Sequence, residues 1–174
     1  TGGTSFNVVV GTVNPTVVTS GVSLGSKFYF SNSIDGLRDW DTTTVTNDSA
    51  ALTFTQLAVA YGRLWGIGLG GDPRTVYGSE YLKGGNFQLA INPVDTDPVR
   101  IQVQGSLDEI LTALYASFKG KLLWFKGHSF GAVTGSRRST FQSQSFSENV
   151  GCSYPESIRD CDGFLRFLGP NRII

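Results

Sequence analysis

This sequence is poor in charged residues: only 16% of its 174 residues are Asp, Glu, Lys or Arg, and 14 basic residues balance 14 acidic ones. A net charge of zero gives no support to a globally basic nucleic-acid-binding domain. Long apolar runs are also missing, and none reaches the roughly 18 residues that a membrane-spanning helix needs. We therefore expect neither a membrane partner nor a binding mode dominated by phosphate contacts.

Methionine is absent, histidine occurs once and cysteine occurs twice. Without a Met at its start, the chain is expected to be a processed product, a fragment or the ordered part of a longer protein. One histidine and two distant cysteines provide no ligand set for a transition metal. Cys152 and Cys161 are too few for a disulfide-dependent scaffold in a chain of this size, so we expect free thiols.

Glycine and aromatic residues are abundant, with 22 Gly and 12 Phe among the 174 residues. Together with many β-branched residues, this composition predicts an all-β domain with polar, uncharged loops. The length corresponds to one domain, residues 1–174, and no internal repeat or linker is evident. The predicted strands are Phe6–Thr19, Lys27–Phe30, Arg63–Leu69, Phe87–Ile91, Leu122–Lys126, Gly131–Thr134, Thr140–Phe146 and Phe164–Leu168.

Two short helices are predicted in the connections between strands. Thr53 and Gln56 have the spacing of a capping box, and the apolar residues from Phe54 to Tyr61 follow at helical spacing. Ser106 and Glu109 form a second capping box, followed by an apolar stripe that ends at Phe118 before a glycine. The polar segment from Ser31 to Ser49 is predicted to be one long loop.

Two motifs resemble catalytic or cofactor sites. Residues Gly127 to Gly131 read G-H-S-F-G, which matches the nucleophile elbow of serine hydrolases around Ser129. The general base of a triad is a histidine that follows the nucleophile in the chain, and the only histidine here is His128, inside the motif. Residues Gly66 to Gly71 match G-x-G-x-x-G, but a helix is predicted before them and none after. We therefore predict a protein that is not an enzyme.

Two pairs of charged residues are candidate binding sites. Asp39 and Asp41 are separated by one residue, and paired carboxylates are ligands that Ca²⁺ accepts, although two fall short of its usual six to eight oxygens. Arg137 and Arg138 are the only adjacent basic pair and are candidate RNA phosphate contacts. For both pairs, plain solvation at the surface is the alternative.

The order of elements from Leu52 onward resembles the shell domain of small plus-strand RNA virus coat proteins of the tombusvirus and sobemovirus type. The segments that carry the resemblance are LAVAYGRLW, GNFQLAINPVDTDPV, and SLDEILTALYASF before KLLWF. The resemblance implies an eight-stranded antiparallel jelly-roll sandwich with two short helices in connecting loops. It further implies a capsid protein that assembles with copies of itself into an icosahedral shell enclosing the genome.

The same resemblance implies several partners. Calcium at subunit interfaces would be bound in part by Asp39 and Asp41. Viral genomic RNA would be contacted mainly by a basic N-terminal arm, which this sequence does not contain. The expected location is the virion, assembled in the host cytoplasm.

Two other functions remain open. The first is a secreted or surface β-sandwich that binds a glycan or a protein, with Trp40, Trp65 and Trp124 as a possible aromatic platform. The second, a serine hydrolase using Ser129, is disfavoured by the missing general base.

Overall fold

The computed structural model describes residues 13–49, 51–104 and 108–170, and these residues form an all-β fold, as predicted. Their two helical elements are single 3₁₀ turns, Arg138–Thr140 and Pro155–Ser157. The strands are β1 Ser20–Leu24, β2 Lys27–Ser31, β3 Leu37–Trp40, β4 Val45–Ser49, β5 Gln56–Ala60, β6 Arg63–Ile67, β7 Thr75–Gly78, β8 Val99–Gln102, β9 Ala113–Phe118, β10 Lys121–Phe125, β11 Phe130–Thr134, β12 Gln142–Ser147, β13 Arg159–Cys161 and β14 Phe164–Arg166.

The strands form three four-stranded antiparallel sheets and a two-stranded hairpin. The first sheet contains β1 to β4, the second β5 to β8, the third β9 to β12, and the C-terminal hairpin β13 and β14. Within each sheet, hydrogen-bonded neighbours are also neighbours in sequence. A jelly roll instead needs Greek-key pairing between strands that are distant in sequence. The predicted jelly-roll arrangement is not found among the described strands, which form sequential antiparallel meanders.

Each sheet begins with a hairpin that has a two-residue turn containing glycine. Three of these turns place both residues at positive φ, which defines the type I′ turn that suits a twisted hairpin. They are Tyr61-Gly62 (53° and 67°), Lys119-Gly120 (51° and 70°) and Asp162-Gly163 (54° and 80°). The same element therefore recurs at the start of successive sheets, a repeat that the sequence analysis did not detect.

The sheets are stacked face to face, with an apolar core in each interface. The first core, between the first and second sheets, contains Tyr29, Leu37, Phe54, Leu64 and Tyr77. The second core, between the second and third sheets, contains Trp65, Ile67, Val76, Leu122 and Trp124. The third core, between the third sheet and the C-terminal hairpin, contains Ala113, Leu123, Phe125, Ile158 and Phe167. The two middle sheets are thus buried on both faces.

The same hydrogen bond joins the leading strands of successive sheets. Ser20, the first residue of β1, accepts a hydrogen bond at Oγ from the backbone N–H of Leu57, the second residue of β5 (2.9 Å). Gln56, the first residue of β5, accepts one at Oε1 from the N–H of Leu114, the second residue of β9 (2.5 Å). The leading strands therefore lie side by side in one register along the stack.

Both predicted helices are wrong, because strands occupy these segments. The segment from Thr53 to Tyr61 contains β5 and the first residue of its turn, and β9 lies in the second predicted helix. Ser106 lies outside the described residues. A strand between two other sheets is apolar on both faces, and its continuous apolar run cannot be told from a buried helix by periodicity.

The predicted strands had mixed outcomes. Those at Lys27–Phe30, Arg63–Leu69, Leu122–Lys126, Gly131–Thr134 and Thr140–Phe146 are confirmed within one or two residues, and Phe164–Leu168 is confirmed in its first half. Residues 87–91 are irregular, and so are residues 16–19, while Phe6–Val10 lies outside the described residues. The predicted loop from Ser31 to Ser49 was wrong, since it contains β3 and β4.

Candidate interaction surface

The outer face of the first sheet, opposite the first core, carries a pocket of about 330 Å³. The aromatic pocket, as we call it, is lined by Thr19, Gly21, Phe28, Phe30, Trp40 and Val45. Phe28 and Trp40 remain 39% and 37% exposed. Five of the six lining residues are apolar, so this is an apolar surface in contact with solvent.

Strand register explains why these residues meet. Phe28 lies opposite Trp40, Trp40 lies opposite Val45, and Phe30 lies opposite Gly21. Residues directly opposite in a sheet share one face, so β1 to β4 place these side chains together. Gly21 provides the floor, since a Cβ there would overlap the Phe28 ring. The rings of Phe28 and Phe30 are stacked with centroids 6.2 Å apart.

The three tryptophans do not form a common platform. Trp65 and Trp124 are fully buried in the second core. Only Trp40 lies at the surface, beside Phe28 in the aromatic pocket. The sequence contains three tryptophans in similar apolar surroundings, and only strand register separates the exposed one from the buried two.

The inner face of the same sheet carries a charged cluster of Lys27, Asp39 and Asp48. Asp39 is 1% exposed and accepts a hydrogen bond and ion pair from Lys27 Nζ. Asp48 is the extra residue of a β-bulge in β4, where Leu37 pairs with Ser49 but Arg38 pairs with Asn47. Burial, followed by the nearby charge of Asp39, raises the pKa of Asp48 to about 6. Within the described part, Asp39 Oδ1 and Asp48 Oδ2 are buried without a hydrogen-bond partner.

Asp39 and Asp41, the predicted calcium ligands, are not brought together. Asp39 faces the second sheet and is bound by Lys27, whereas Asp41 lies in the exposed turn after β3. Asp41 Oδ1 accepts hydrogen bonds from the N–H groups of Thr43 (3.0 Å) and Thr44 (2.8 Å), which lower its pKa. The described residues contain no group of three or more metal-ligating side chains. Calcium binding by Asp39 and Asp41 stays a prediction, to which these separate settings give no support.

Arg137 and Arg138, the predicted RNA contacts, bind an adjacent loop of the protein. Arg137 Nη1 lies 3.8 Å from Asp95 Oδ2, and its side chain is 71% exposed. Arg138 Nε donates a hydrogen bond to the Pro98 carbonyl (3.1 Å). Both arginines thus help to hold the segment before β8, and RNA binding by them stays a prediction.

The G-H-S-F-G motif does not form a catalytic triad. Ser129 is 2% exposed, and its hydroxyl donates a hydrogen bond to Glu109 Oε2 (3.3 Å). Nδ1 of His128, the only histidine of the sequence, lies 2.6 Å from the other oxygen of the same carboxylate. Ser129 and His128 thus both contact Glu109 and not each other, whereas a triad needs the imidazole between the hydroxyl and the acid.

The glycine motif and the cysteines also have structural settings. Gly66 lies inside β6, and the residues after it lead through a turn to β7, with no helix to receive a phosphate. Cys152 and Cys161 are free thiols, as predicted. Burial raises the pKa of Cys152, which disfavours its reactive thiolate form.

The sequence analysis overlooked Arg63, a buried arginine that organises the connection between β7 and β8. Arg63 is 2% exposed, and its guanidinium donates hydrogen bonds to the carbonyls of Ser79, Asp95 (2.6 Å), Thr96 (3.1 Å) and Asp97 (2.9 Å). A usable signal was present, since an arginine inside the apolar run YGRLWGI must find several acceptors if the run is buried.

No helix among the described residues is long and apolar enough to cross a bilayer. Comparison with known proteins finds no protein family and no curated protein that matches this chain. Among the described residues, the aromatic pocket is the candidate interaction surface.

Proposed function

We propose that this protein is a structural, self-associating protein, and that the aromatic pocket on the first sheet is covered by a second copy of the chain. The stack of sheets supports this proposal. Each of the three apolar cores of the described stack fills an interface between neighbouring sheets or between the third sheet and the C-terminal hairpin. The outer face of the first sheet has the same chemistry and lies in solvent.

The lining of the pocket favours a protein partner over a glycan. A sugar-binding site combines aromatic rings with polar groups that hydrogen-bond the hydroxyls. Thr19 is the only lining residue with a polar side chain. An apolar surface of this kind gains most from an apolar protein surface, because its burial then leaves no polar group unpaired.

Self-association is the part of the coat-protein hypothesis that the present proposal retains. The jelly-roll fold, which was the structural basis of that hypothesis, is not found among the described strands. The described sheets are instead sequential meanders. An icosahedral shell enclosing RNA stays a prediction. The charged pairs Asp39 with Asp41 and Arg137 with Arg138 give it no further support.

Light scattering coupled to size-exclusion chromatography, over a range of protein concentrations, tests the proposal. We expect the mass of the wild-type protein to rise above that of the monomer with concentration. Trp40→Ser should raise the dissociation constant about tenfold or more, since a buried aromatic side chain contributes about 1.5–3 kcal/mol. Phe164→Ser is the matched control, because Phe164 is also a strand residue, 72% exposed, but lies on β14.

Acrylamide quenching of tryptophan fluorescence provides a second measurement. Trp65 and Trp124 are fully buried, so quenching reports on Trp40. Association should reduce quenching as the concentration rises. A wild-type protein that remains monomeric up to its solubility limit would overturn the proposal, and a glycan that protects Trp40 would favour the binding-module alternative.

A further inference from the structure

A second pocket, of about 320 Å³, lies between the end of β4 and the connection from β7 to β8, residues 79–98. The acidic pocket, as we call it, is lined by Asp48, Ser49 and Leu52 on one side and by residues 85–88 on the other. Among the described residues that line it, Asp48 is the only ionisable one. A carboxylate therefore borders a cavity that has apolar walls at Leu52 and Phe87.

The cluster of Lys27, Asp39 and Asp48 contains more acceptors than donors. The ammonium group of Lys27 binds Asp39, which is 1% exposed. Within the described part, Asp39 Oδ1 and Asp48 Oδ2 are nevertheless buried without a hydrogen-bond partner. When both aspartates are ionised, one ammonium group faces two carboxylates, and one negative charge is left uncompensated. A buried charge without a partner is costly, so the cluster favours a second cation.

The space beside the Asp48 carboxylate depends on the glycine at position 85, which also lines the acidic pocket. A Cβ on Gly85 would lie 2.5 Å from Asp48 Oδ1, a distance too short for any real contact. The φ of Gly85 is not in the positive range, so its backbone conformation alone does not require glycine. The absence of a side chain is explained instead by a close approach to the carboxylate.

The available ligands distinguish an ammonium group from a metal ion. Ca²⁺ takes about six to eight oxygen ligands, and the described residues contain no group of three or more metal-ligating side chains. A primary ammonium group has N–H donors and no acceptor, which suits carboxylate oxygens that lack a donor. Lys27 already provides a group of this kind to the same cluster. The apolar walls of the pocket suit an alkyl chain, whose burial is favourable.

We propose that the acidic pocket binds a primary alkylammonium group, which pairs with the Asp48 carboxylate while its alkyl chain packs against Leu52 and Phe87. A free amine and the side chain of a lysine residue share this chemistry. The acidic pocket has no lining residue in common with the aromatic pocket. This proposal therefore does not depend on self-association, and either one can fail alone.

A two-dimensional ¹H–¹⁵N NMR titration with n-butylammonium at about pH 7.5 tests the site. Burial, followed by the charge of Asp39, raises the pKa of Asp48 to about 6, so its carboxylate is ionised under these conditions. The backbone signals of residues 85–88 should shift, with a dissociation constant of about 1–10 mM for so small a ligand. Tetramethylammonium has the same charge but no N–H donor, and it should bind about tenfold more weakly.

Two variants should weaken the binding of n-butylammonium about tenfold or more. Asp48→Asn removes the charge, and Gly85→Ala fills the space beside Asp48 Oδ1. Asp162→Asn is the matched control, because it removes one exposed carboxylate from the turn of the C-terminal hairpin, a turn type that accepts asparagine. It should bind like the wild type. Circular dichroism of all variants checks that each remains folded.

N-acetyl-lysine methylamide separates the two sources of the ammonium group. Tighter binding than that of n-butylammonium supports the site and identifies a lysine side chain, and equal or weaker binding supports it with a free amine. Binding of n-butylammonium that Asp48→Asn leaves unchanged would overturn the proposal, as would equal binding of tetramethylammonium. Calcium chloride that shifts the same signals at a lower concentration would assign the carboxylates to a metal ion and would also overturn it.

Discussion

At the scale of single residues, Asp41 and Asp48 show how two aspartates of one protein acquire pKa shifts in opposite directions. Asp41 is exposed, and the N–H groups and hydroxyls of its own turn lower its pKa. Asp48 is partly buried beside Asp39, and its pKa rises to about 6. The bulge in β4 causes this difference, since it turns Asp48 toward the interior.

Asp48→Asn should stabilise the protein at neutral pH. With a raised folded-state pKa, the folded protein binds more protons than the unfolded chain between about pH 4 and pH 6, so stability falls as the pH rises through this window. The substitution should remove this fall and raise the free energy of unfolding at pH 7 by about 1 kcal/mol, a value limited by solvent screening. Urea denaturation at pH 4, 5, 6 and 7 measures it.

Asp41→Asn is the opposite control. The lowered pKa of Asp41 means that its contribution to stability is present at neutral pH and is lost as the pH falls through the folded-state pKa, so its removal should destabilise at pH 7. If the stability of the Asp48→Asn variant depended on pH in the same way as that of the wild type, the buried position of the Asp48 carboxylate would be refuted.

At the scale of strands and turns, the sequence predicted the class of fold better than the type of element. The segment KLLWF was recognised as a strand, now β10, from its apolar run. The segment FQSQSF was recognised as a strand, now β12, from its strict alternation of apolar and polar residues. The glycine of KG, Gly120, was misinterpreted as the end of a helix, since a glycine after an apolar run is expected both at the end of a helix and in a type I′ hairpin. The helix end and the hairpin turn differ in which distant strands pair with the segment, and a single sequence does not show that pairing.

The same limit applies to the candidate surface. The aromatic residues of KFYF and RDW were visible, but whether they meet depends on the pairing of β2 with β3, across a segment that the sequence analysis interpreted as a loop. Asp39 and Asp41 were predicted to lie in one loop, but Asp39 belongs to β3, which ends at Trp40, and Asp41 lies in the turn that follows.

Glycine substitutions test the hairpin turns. Gly120→Ala should cost about 1 kcal/mol, since its φ is +70° but no atom lies within 4 Å of the added Cβ. Gly62→Ala should cost more, because φ is +67° and the new Cβ would overlap the Tyr81 ring. Thermal unfolding measures both.

Gly70→Ala serves as the control for these turns, because its φ is not in the positive range and its Cβ meets open space, so it should be nearly neutral. Equal effects for positions 62, 70 and 120 would contradict the turn assignment.

At the scale of the whole molecule, the interleaved cores should make the stack unfold as one unit. The second and third sheets each contribute to two cores, so loss of one core exposes a face of the next. Leu37→Ala in the first core and Phe125→Ala in the third should each lower the free energy of unfolding by about 2–5 kcal/mol. Both should shift a single transition that far-ultraviolet circular dichroism and tryptophan fluorescence report together.

Separate transitions for the two probes would show that the sheets unfold independently, as repeats do in arrays whose cooperativity breaks down. Val18→Ala, at a side chain that is 77% exposed, is the control and should leave the transition unchanged.

Arg63 holds the 79–98 loop, which connects β7 to β8, by its main chain. This affects how far the sequence at the tip of the loop, residues 88–93, can vary. The guanidinium binds main-chain carbonyls, which every residue type possesses, so the anchoring does not depend on which side chains the tip carries. Residues 88–93 can therefore be exchanged in sequence while the base keeps its conformation. The loop is therefore a position at which a new sequence could be grafted onto a fixed framework.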